Sequence, residues 1–160
     1  MAFGAGVAMA GATVAQIAPD PTAGNEVASK LDPQGYSFVQ PVCTRCHNAE
    51  TFLHSRRWSD WQRTLGRMAA NGAAATADQW VPIQAYFKRN LTLLYVNNAD
   101  EDELTTVLGV DEKTAIAIVQ RRVDRRFENA ADLESVPGVD RALIESMKPR
   151  LLFAAPQGSG

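Results

Sequence analysis

Cys43-Thr44-Arg45-Cys46-His47 is a C-x-x-C-H run, the pattern by which two thiols add to the vinyl groups of a haem while the histidine that follows coordinates its iron. These are the only cysteines. Zinc would need further Cys or His ligands at finger-like spacing, and the chain has only His47 and His54 and no second cysteine pair. Two residues between the cysteines are too few for the disulfide staple of a secreted scaffold, and a thioredoxin-like redox pair needs strands around Cys43, where the sequence shows no strand pattern. Read on a helix, cysteines three positions apart share one side of a turn, so both sulfurs reach one porphyrin edge and the next imidazole is held over the metal. The expectation is one covalent haem c.

The sixth iron ligand must approach from the opposite haem face. His54 is poorly placed for this: if helix continued past His47, it would stand about 10 Å along on the same side, at about 1.5 Å per residue. Met68, twenty residues beyond His47, leaves ample chain for the excursion and shares a helical stripe with Trp61 and Leu65, which are expected to line the haem pocket. Met147 falls in the repeat region and Met1 and Met9 in the leader. Arg56 and Arg57 are candidates to pair with haem propionates, against the plainer reading of solvated side chains. Trp58, Trp61 and Trp80 read as pocket or core aromatics, not as an electron relay. With both axial positions filled by His47 and Met68 there is no open iron site, so the expectation is a carrier and not an enzyme, with no catalytic residues.

The elements that position these residues are helical, and the fold class expected is all-α. Ser59 with Gln62 reads as a capping box, after which Trp61, Leu65 and Met68 recur at helical spacing up to Asn71-Gly72. That predicts a helix near 60–70. Thr76 with Gln79 repeats the signal and predicts a second helix over about 77–90, with Trp80, Ile83, Gln84 and Phe87 on one face. From Tyr95 the chain repeats itself at an offset of 29 positions: Leu104, Val107, Gly109, Val110 and Asp111 recur as Leu133, Val136, Gly138, Val139 and Asp140. Each copy reads as helix, tight glycine turn, helix.

Composition sets the outer bounds. The 160 residues are 46% hydrophobic and 21% charged, with a net charge of -2, which excludes wholesale disorder, a multispan membrane protein and nucleic-acid coating by charge alone. Residues 1–94 carry 8 basic against 6 acidic side chains, and residues 95–160 carry 8 against 12. Ala2 to Ala18 is small and apolar and resembles the end of an export signal without its basic start, the competing reading being an Ala/Gly tail. No membrane span is expected beyond that leader, whether cleaved or kept. The division expected is 1–30 leader and linker, 31–91 haem domain, 95–153 hairpin domain and 154–160 a loose tail.

Residues 35–91 resemble a small class I cytochrome c domain: C-x-x-C-H, then Trp61 to Met68 as Trp-x6-Met, then Gly72 and a terminal helix with Tyr86-Phe87. The resemblance implies an all-α domain with His47 and Met68 axial to haem c and a role in single-electron transfer. Some 55 residues make a small core, which a tethered apolar macrocycle would complete, as expected for so short a domain. A thioether ligand favours ferrous iron and raises the potential relative to two histidines.

Residues 95–152 are similar to the tandem helix-hairpin-helix module of ComEA-type DNA receptors, through Tyr95-Val96-Asn97-Asn98-Ala99, Leu108-Gly109-Val110-Asp111 and Val136-Pro137-Gly138-Val139-Asp140. That family binds duplex DNA with the backbone N–H groups of the hairpin turn and the following helix. Here the second turn glycine is aspartate in both copies, Asp111 and Asp140. An aspartate there is a strong N-cap whose carboxylate takes the N–H groups a phosphate would use. Arg121, Arg122, Arg125 and Arg126 form a basic cluster that could contact nucleic acid, the plainer reading being a solvated linker. The function expected is a periplasmic or otherwise exported c-type cytochrome passing electrons between redox partners, a redox protein or a larger electron-transfer complex, with the hairpin module as a docking or structural element. The alternative is a ComEA-like DNA-binding or uptake protein bearing a haem.

Overall fold

The computed structural model describes residues 20–154, which are mostly helical, so the chain is all-α as expected. The leader Ala2–Ala18 and all but the first residue of the tail 154–160 lie outside the described residues. The first half is built from α1 (Asn25–Leu31), α2 (Pro33–Cys43), a 3-10 turn (Ala49–Phe52), α3 (Trp58–Ala70) and α4 (Ala77–Leu91). Asp32 caps α2 by accepting the Gly35 N–H at 2.8 Å, and Pro33 takes the first helical position, where its missing N–H costs nothing.

Two departures from the sequence reading have local causes. α1 lies in the stretch assigned to the linker; seven residues with Ala28 alone buried are too few to show a period. Tertiary bonds hold it, the Tyr36 hydroxyl donating to Asn25 Oδ1 at 2.6 Å and the Tyr86 hydroxyl to the Ala28 carbonyl at 2.8 Å. α3 begins at Trp58, with Arg57 as an N-cap that makes no side-chain bond, so Ser59 lies inside the helix and not at its cap. The entry is fixed earlier in the chain, because Arg56 donates its N–H to the Leu91 carbonyl at 3.1 Å and accepts that of Leu93 at 2.8 Å. The predicted box at α4 does form: Thr76 Oγ1 accepts the Gln79 N–H at 3.3 Å, and Gln79 Oε1 accepts that of Thr76 at 2.9 Å. Val39, Phe52, Trp61, Ile83, Tyr86 and Phe87 are buried in the core of this half.

The second half has its own core around Leu104, Leu108, Ile118, Leu133 and Ile144. α5 (Glu101–Glu103) runs into a π-helical turn (Leu104–Leu108), and Gly109 at φ 86° leads to α6 (Glu112–Asp124). α7 (Ala130–Glu134), Gly138 at φ 92° and α8 (Arg141–Met147) repeat the arrangement. Glycine is required at 138 on two grounds. The conformation is left-handed, and a Cβ there would overlap Oγ1 of Thr114 at the start of α6. β1 (Leu94–Tyr95) pairs in parallel with β2 (Leu151–Leu152), closing this half on itself.

The halves are joined by side chains as well as by the chain. Arg150 donates to the carbonyls of Arg89 at 2.7 Å and Thr92 at 3.3 Å, Lys88 pairs with Asp102 at 2.5 Å, and Arg57 Nε donates to the Tyr95 hydroxyl at 3.0 Å. Among the described residues no helix is long and apolar enough to cross a membrane.

Candidate functional site

A largely apolar cleft of about 250 Å³ opens between the end of α2, the turn that follows it, α3 and α4. Of the residues singled out from sequence, Cys43, His47, Trp61, Leu65 and Met68 all line it. α3 brings in three of them, because Trp61, Leu65 and Met68 fall at helical spacing on its inner face. Trp61 is 1% exposed and is fixed by its indole N–H, which donates to the Leu91 carbonyl at 2.6 Å. Phe52 and Phe87 complete the floor.

The two cysteines do not share a helical turn. α2 ends at Cys43, its last backbone bond running from the Thr44 N–H to the Gln40 carbonyl at 3.1 Å, and residues 44–46 leave the helix as a turn. Cys43 is therefore half-buried at the cleft, while Cys46 is exposed and does not line it. Both thiols are free. Burial pushes the Cys43 thiol up to about 11, so it stays protonated at neutral pH, unlike the low-pKa thiolate of a redox pair. His47 Nδ1 lies 3.2 Å from the Asn48 carbonyl oxygen. With the proton on Nδ1 that contact is a hydrogen bond, and Nε2 is left free as a metal ligand.

The cleft also contains residues the sequence reading set aside. His54 lines it, because no helix continues past His47: the 3-10 turn Ala49–Phe52 folds the chain back, and the His54 N–H donates to the Phe52 carbonyl at 2.8 Å. Its ring stacks on Trp61 at 5.4 Å, and desolvation, with a smaller contribution from Arg56, holds its pKa below the usual histidine value. Arg56 lines the cleft with its guanidinium over the Trp61 ring at 5.3 Å, and Arg67 lines it from α3. Arg57 does not; it lies over the Tyr95 ring in the second half. Trp58 and Trp80 pack half-buried against the first core away from the cleft. Only the turn that returns His54 could have revealed it, and six polar and mixed residues after His47 carry no period that fixes such a turn.

On the second half, both turn aspartates cap as expected. Asp111 Oδ1 accepts the Thr114 N–H at 2.7 Å and Asp140 Oδ1 accepts that of Leu143 at 2.8 Å. The arginine cluster divides. Arg122 is turned inward, its Nη1 donating to the carbonyls of Val96 at 3.0 Å and Ala99 at 2.6 Å, whereas Arg125 and Arg126 are exposed and Arg121 half-buried. Arg125 faces Glu128 at 3.8 Å, and Arg126 reaches Asn98 Oδ1 at 3.4 Å. Met147 is buried in this core, with Arg150 donating to its sulfur at 2.6 Å.

No curated protein and no solved structure matches the chain. A family model does match part of it, the helix-hairpin-helix motif, over residues 90–152. That span begins in the last residues of α4 and contains both glycine turns, both aspartate caps and the β1–β2 pair. Residues 90–152 thus match a helix-hairpin-helix motif, of a kind compatible with DNA binding.

Proposed function

We propose that the first half is a c-type cytochrome domain and that the protein carries single electrons between redox partners outside the cytoplasm. The observation that supports this best is the cleft, which brings a free thiol, an imidazole with its Nε2 unengaged, and a thioether to one aromatic-floored site. Of the donors haem c needs, Cys43, His47 and Met68 line the cleft, while Cys46 lies outside it on the turn after α2 and would have to turn in to form the second thioether. Cys43 and Cys46 would then hold the group covalently, His47 and Met68 would ligate its iron, and Trp61, Leu65, Phe52 and Phe87 would exclude water from it. When bound, the group supplies a one-electron couple. Met68 as a neutral, soft donor favours the reduced state, and the half-buried Arg56 stands ready for a propionate. With both axial positions taken, the domain is a carrier and not an enzyme. Export is in keeping with the small apolar leader, and the hairpin module would seat the carrier on a protein partner.

The test is to express the full chain with a haem-maturation system. A covalent mass increment of one haem, cytochrome absorption bands, and loss of the sulfur–iron charge-transfer band in Met68→Ala are the expected results. Free thiols and no visible absorbance would refute the reading.

A second reading, a haem-bearing DNA-binding or uptake protein, draws on the module itself and on Arg121, Arg125 and Arg126 at its surface. Against it stand the two aspartates already occupying the helix N-termini and the inward commitment of Arg122. Titration with duplex DNA at about 50 and about 200 mM salt separates the two, since a phosphate binder loses affinity steeply over that range. Absence of binding at the lower salt excludes DNA.

A further inference from the structure

The two copies of the repeat differ at their turns. Gly138 is pressed against α6, where a Cβ would overlap Thr114 Oγ1, whereas a Cβ on Gly109 would meet nothing within 4 Å. In the second copy the position of Thr114 is taken by Leu143, so the matching pair at the first turn is Gly109 and Leu143. Both line a cavity of about 450 Å³, and the contact that closes one turn is replaced at the other by open space. The polar wall of this cavity is Arg89 and Asn90 at the end of α4, Thr105 and Thr106 on the π-helical turn, and Arg150. Its floor is apolar: Val107, Leu108, Leu143 and Met147. Among the described residues no acidic side chain lines it. Asp102 is near, 3.4 Å from Thr106 Oγ1, but is committed to Lys88 at 2.5 Å.

Arg150 is the half-buried cation of this wall. Its Nη1 donates to the carbonyls of Arg89 and Thr92 and its Nη2 to the Met147 sulfur, all of them neutral acceptors. Burial pushes its pKa down, as it does for a guanidinium partly stripped of water with no counter-ion. Its Nε has no partner among the described residues and is still open to solvent, since among them His54 Nε2 alone is both sealed and unpaired. Arg89 shares its charge with Asp32 at 3.6 Å, so the cavity offers little more than one uncompensated positive charge. That matches a monoanion. A phosphate dianion would be half-neutralised, with oxygens turned to a floor that has no donors. The acidic α5, which runs into the wall at Thr105, repels a polyanion. A carboxylate on an apolar stem suits both parts of the cavity, charge on the wall and hydrocarbon on the floor.

We propose that this cavity binds a carboxylate carried on an apolar stem, with Arg150 and Arg89 holding the charged head and Leu143 and Met147 the stem. The site is separate from the cleft and stands whatever fills the cleft. It is also separate from the helix N-termini, whose N–H groups Asp111 and Asp140 already occupy. Two sources share this chemistry, the carboxyl terminus of a protein chain and a free aliphatic acid.

Amide NMR of the full chain tests this with four probes: hexanoate, N-acetyl-leucine, N-acetyl-leucine amide and inorganic phosphate. The two acids should shift the signals of Thr105, Gly109 and Leu143 and the Nε–H signal of Arg150, and the amide should shift none of them. Tighter binding of N-acetyl-leucine assigns the site to a chain terminus, and binding of hexanoate as tight or tighter assigns it to a free acid. Arg89→Gln, an exposed residue whose loss the fold tolerates, should weaken either acid by up to about five-fold, as for an exposed ion pair. Thr105→Glu sets a negative charge in the wall and should abolish binding while the rest of the spectrum keeps its folded dispersion. The proposal is overturned if neither acid shifts these signals, if the amide shifts them as strongly, or if phosphate shifts them more than both acids.

Discussion

Replacing Asp111 and Asp140 together with glycine should raise the affinity of the hairpin module for DNA. Each carboxylate now occupies the N–H groups of the helix it caps, at 2.7 Å to Thr114 and 2.8 Å to Leu143. Glycine is accepted at an N-cap nearly as well as aspartate, so α6 and α8 should persist. Each substitution removes one negative charge and frees the backbone donors for one phosphate. A phosphate contact adds about 0.9 to the slope of log affinity against log salt, so two add about 1.8, or roughly a twelve-fold steeper loss between about 50 and about 200 mM salt. Fluorescence anisotropy of a labelled duplex, titrated at both salts, reads this directly. Asp111→Asn with Asp140→Asn removes the charge but keeps a capping side chain, and should gain less. The reasoning fails if the glycine variant keeps its helicity by circular dichroism and yet shows the wild-type salt slope.

Gly138→Ala should destabilise the module by about 2 kcal/mol or more, since left-handed alanine alone costs about 1–2 kcal/mol and its Cβ would meet Thr114 Oγ1; an unchanged melting temperature would contradict this. Asn97→Ala should cost about 3 kcal/mol in denaturant unfolding, because the buried Asn97 amide serves the Phe127 carbonyl at 2.7 Å, the Phe153 carbonyl at 2.8 Å and the Phe127 N–H at 2.9 Å, all left unpaired. The hydrogen bond from Lys88, reinforced by its charge, holds the Asp102 carboxyl below the ordinary carboxylate range. Its folded pKa is depressed, so its contribution is complete above about pH 4 and is lost as pH falls through the lowered value. Lys88→Met should flatten that acid limb of the stability curve, and an unaltered limb would show the pair to be idle. In the haem-free chain, alkylation followed by mass mapping should find Cys46 modified well before Cys43, whose thiol is buried and pushed up to about 11; equal rates would place Cys43 outside the cleft.

What could be read from sequence was what local spacing determines. The stripe Trp61, Leu65, Met68, the Thr76–Gln79 box, the glycine turns and the aspartate caps are written in neighbouring residues, and they occur where the pattern puts them. What could not be read depends on chain brought in from far away. α3 starts at Trp58 because Arg56 is bonded to Leu91 and Leu93, more than thirty positions on. Arg57 leaves the cleft because Tyr95 takes it, and Arg122 leaves the surface because the carbonyls of Val96 and Ala99 take it. His54 was misplaced by assuming a helix through residues that instead form a 3-10 turn. The spacing of the two cysteines likewise could not say that α2 would stop at Cys43 and leave Cys46 outside.

One of these long-range contacts, that of Arg56, falls on the cleft's own wall, and the others lie beside it along the seam between the halves. Arg56 presents its side chain to the cleft while its backbone is bonded on both sides to the strand leading out of α4, and its neighbour Arg57 is held by Tyr95 in the hairpin module. Arg150 closes the same seam from the far end of the chain, on the carbonyls of Arg89 and Thr92. A partner gripping the module therefore acts on a body continuous with the cleft wall, not on a domain tethered by a loose linker. If the first half is the electron-carrying domain proposed above, this has a direct use. Docking through residues 90–152 would present the cleft, with its Cys43, His47 and Met68, in one fixed direction, so that orientation is set by the fold and not found by search after binding.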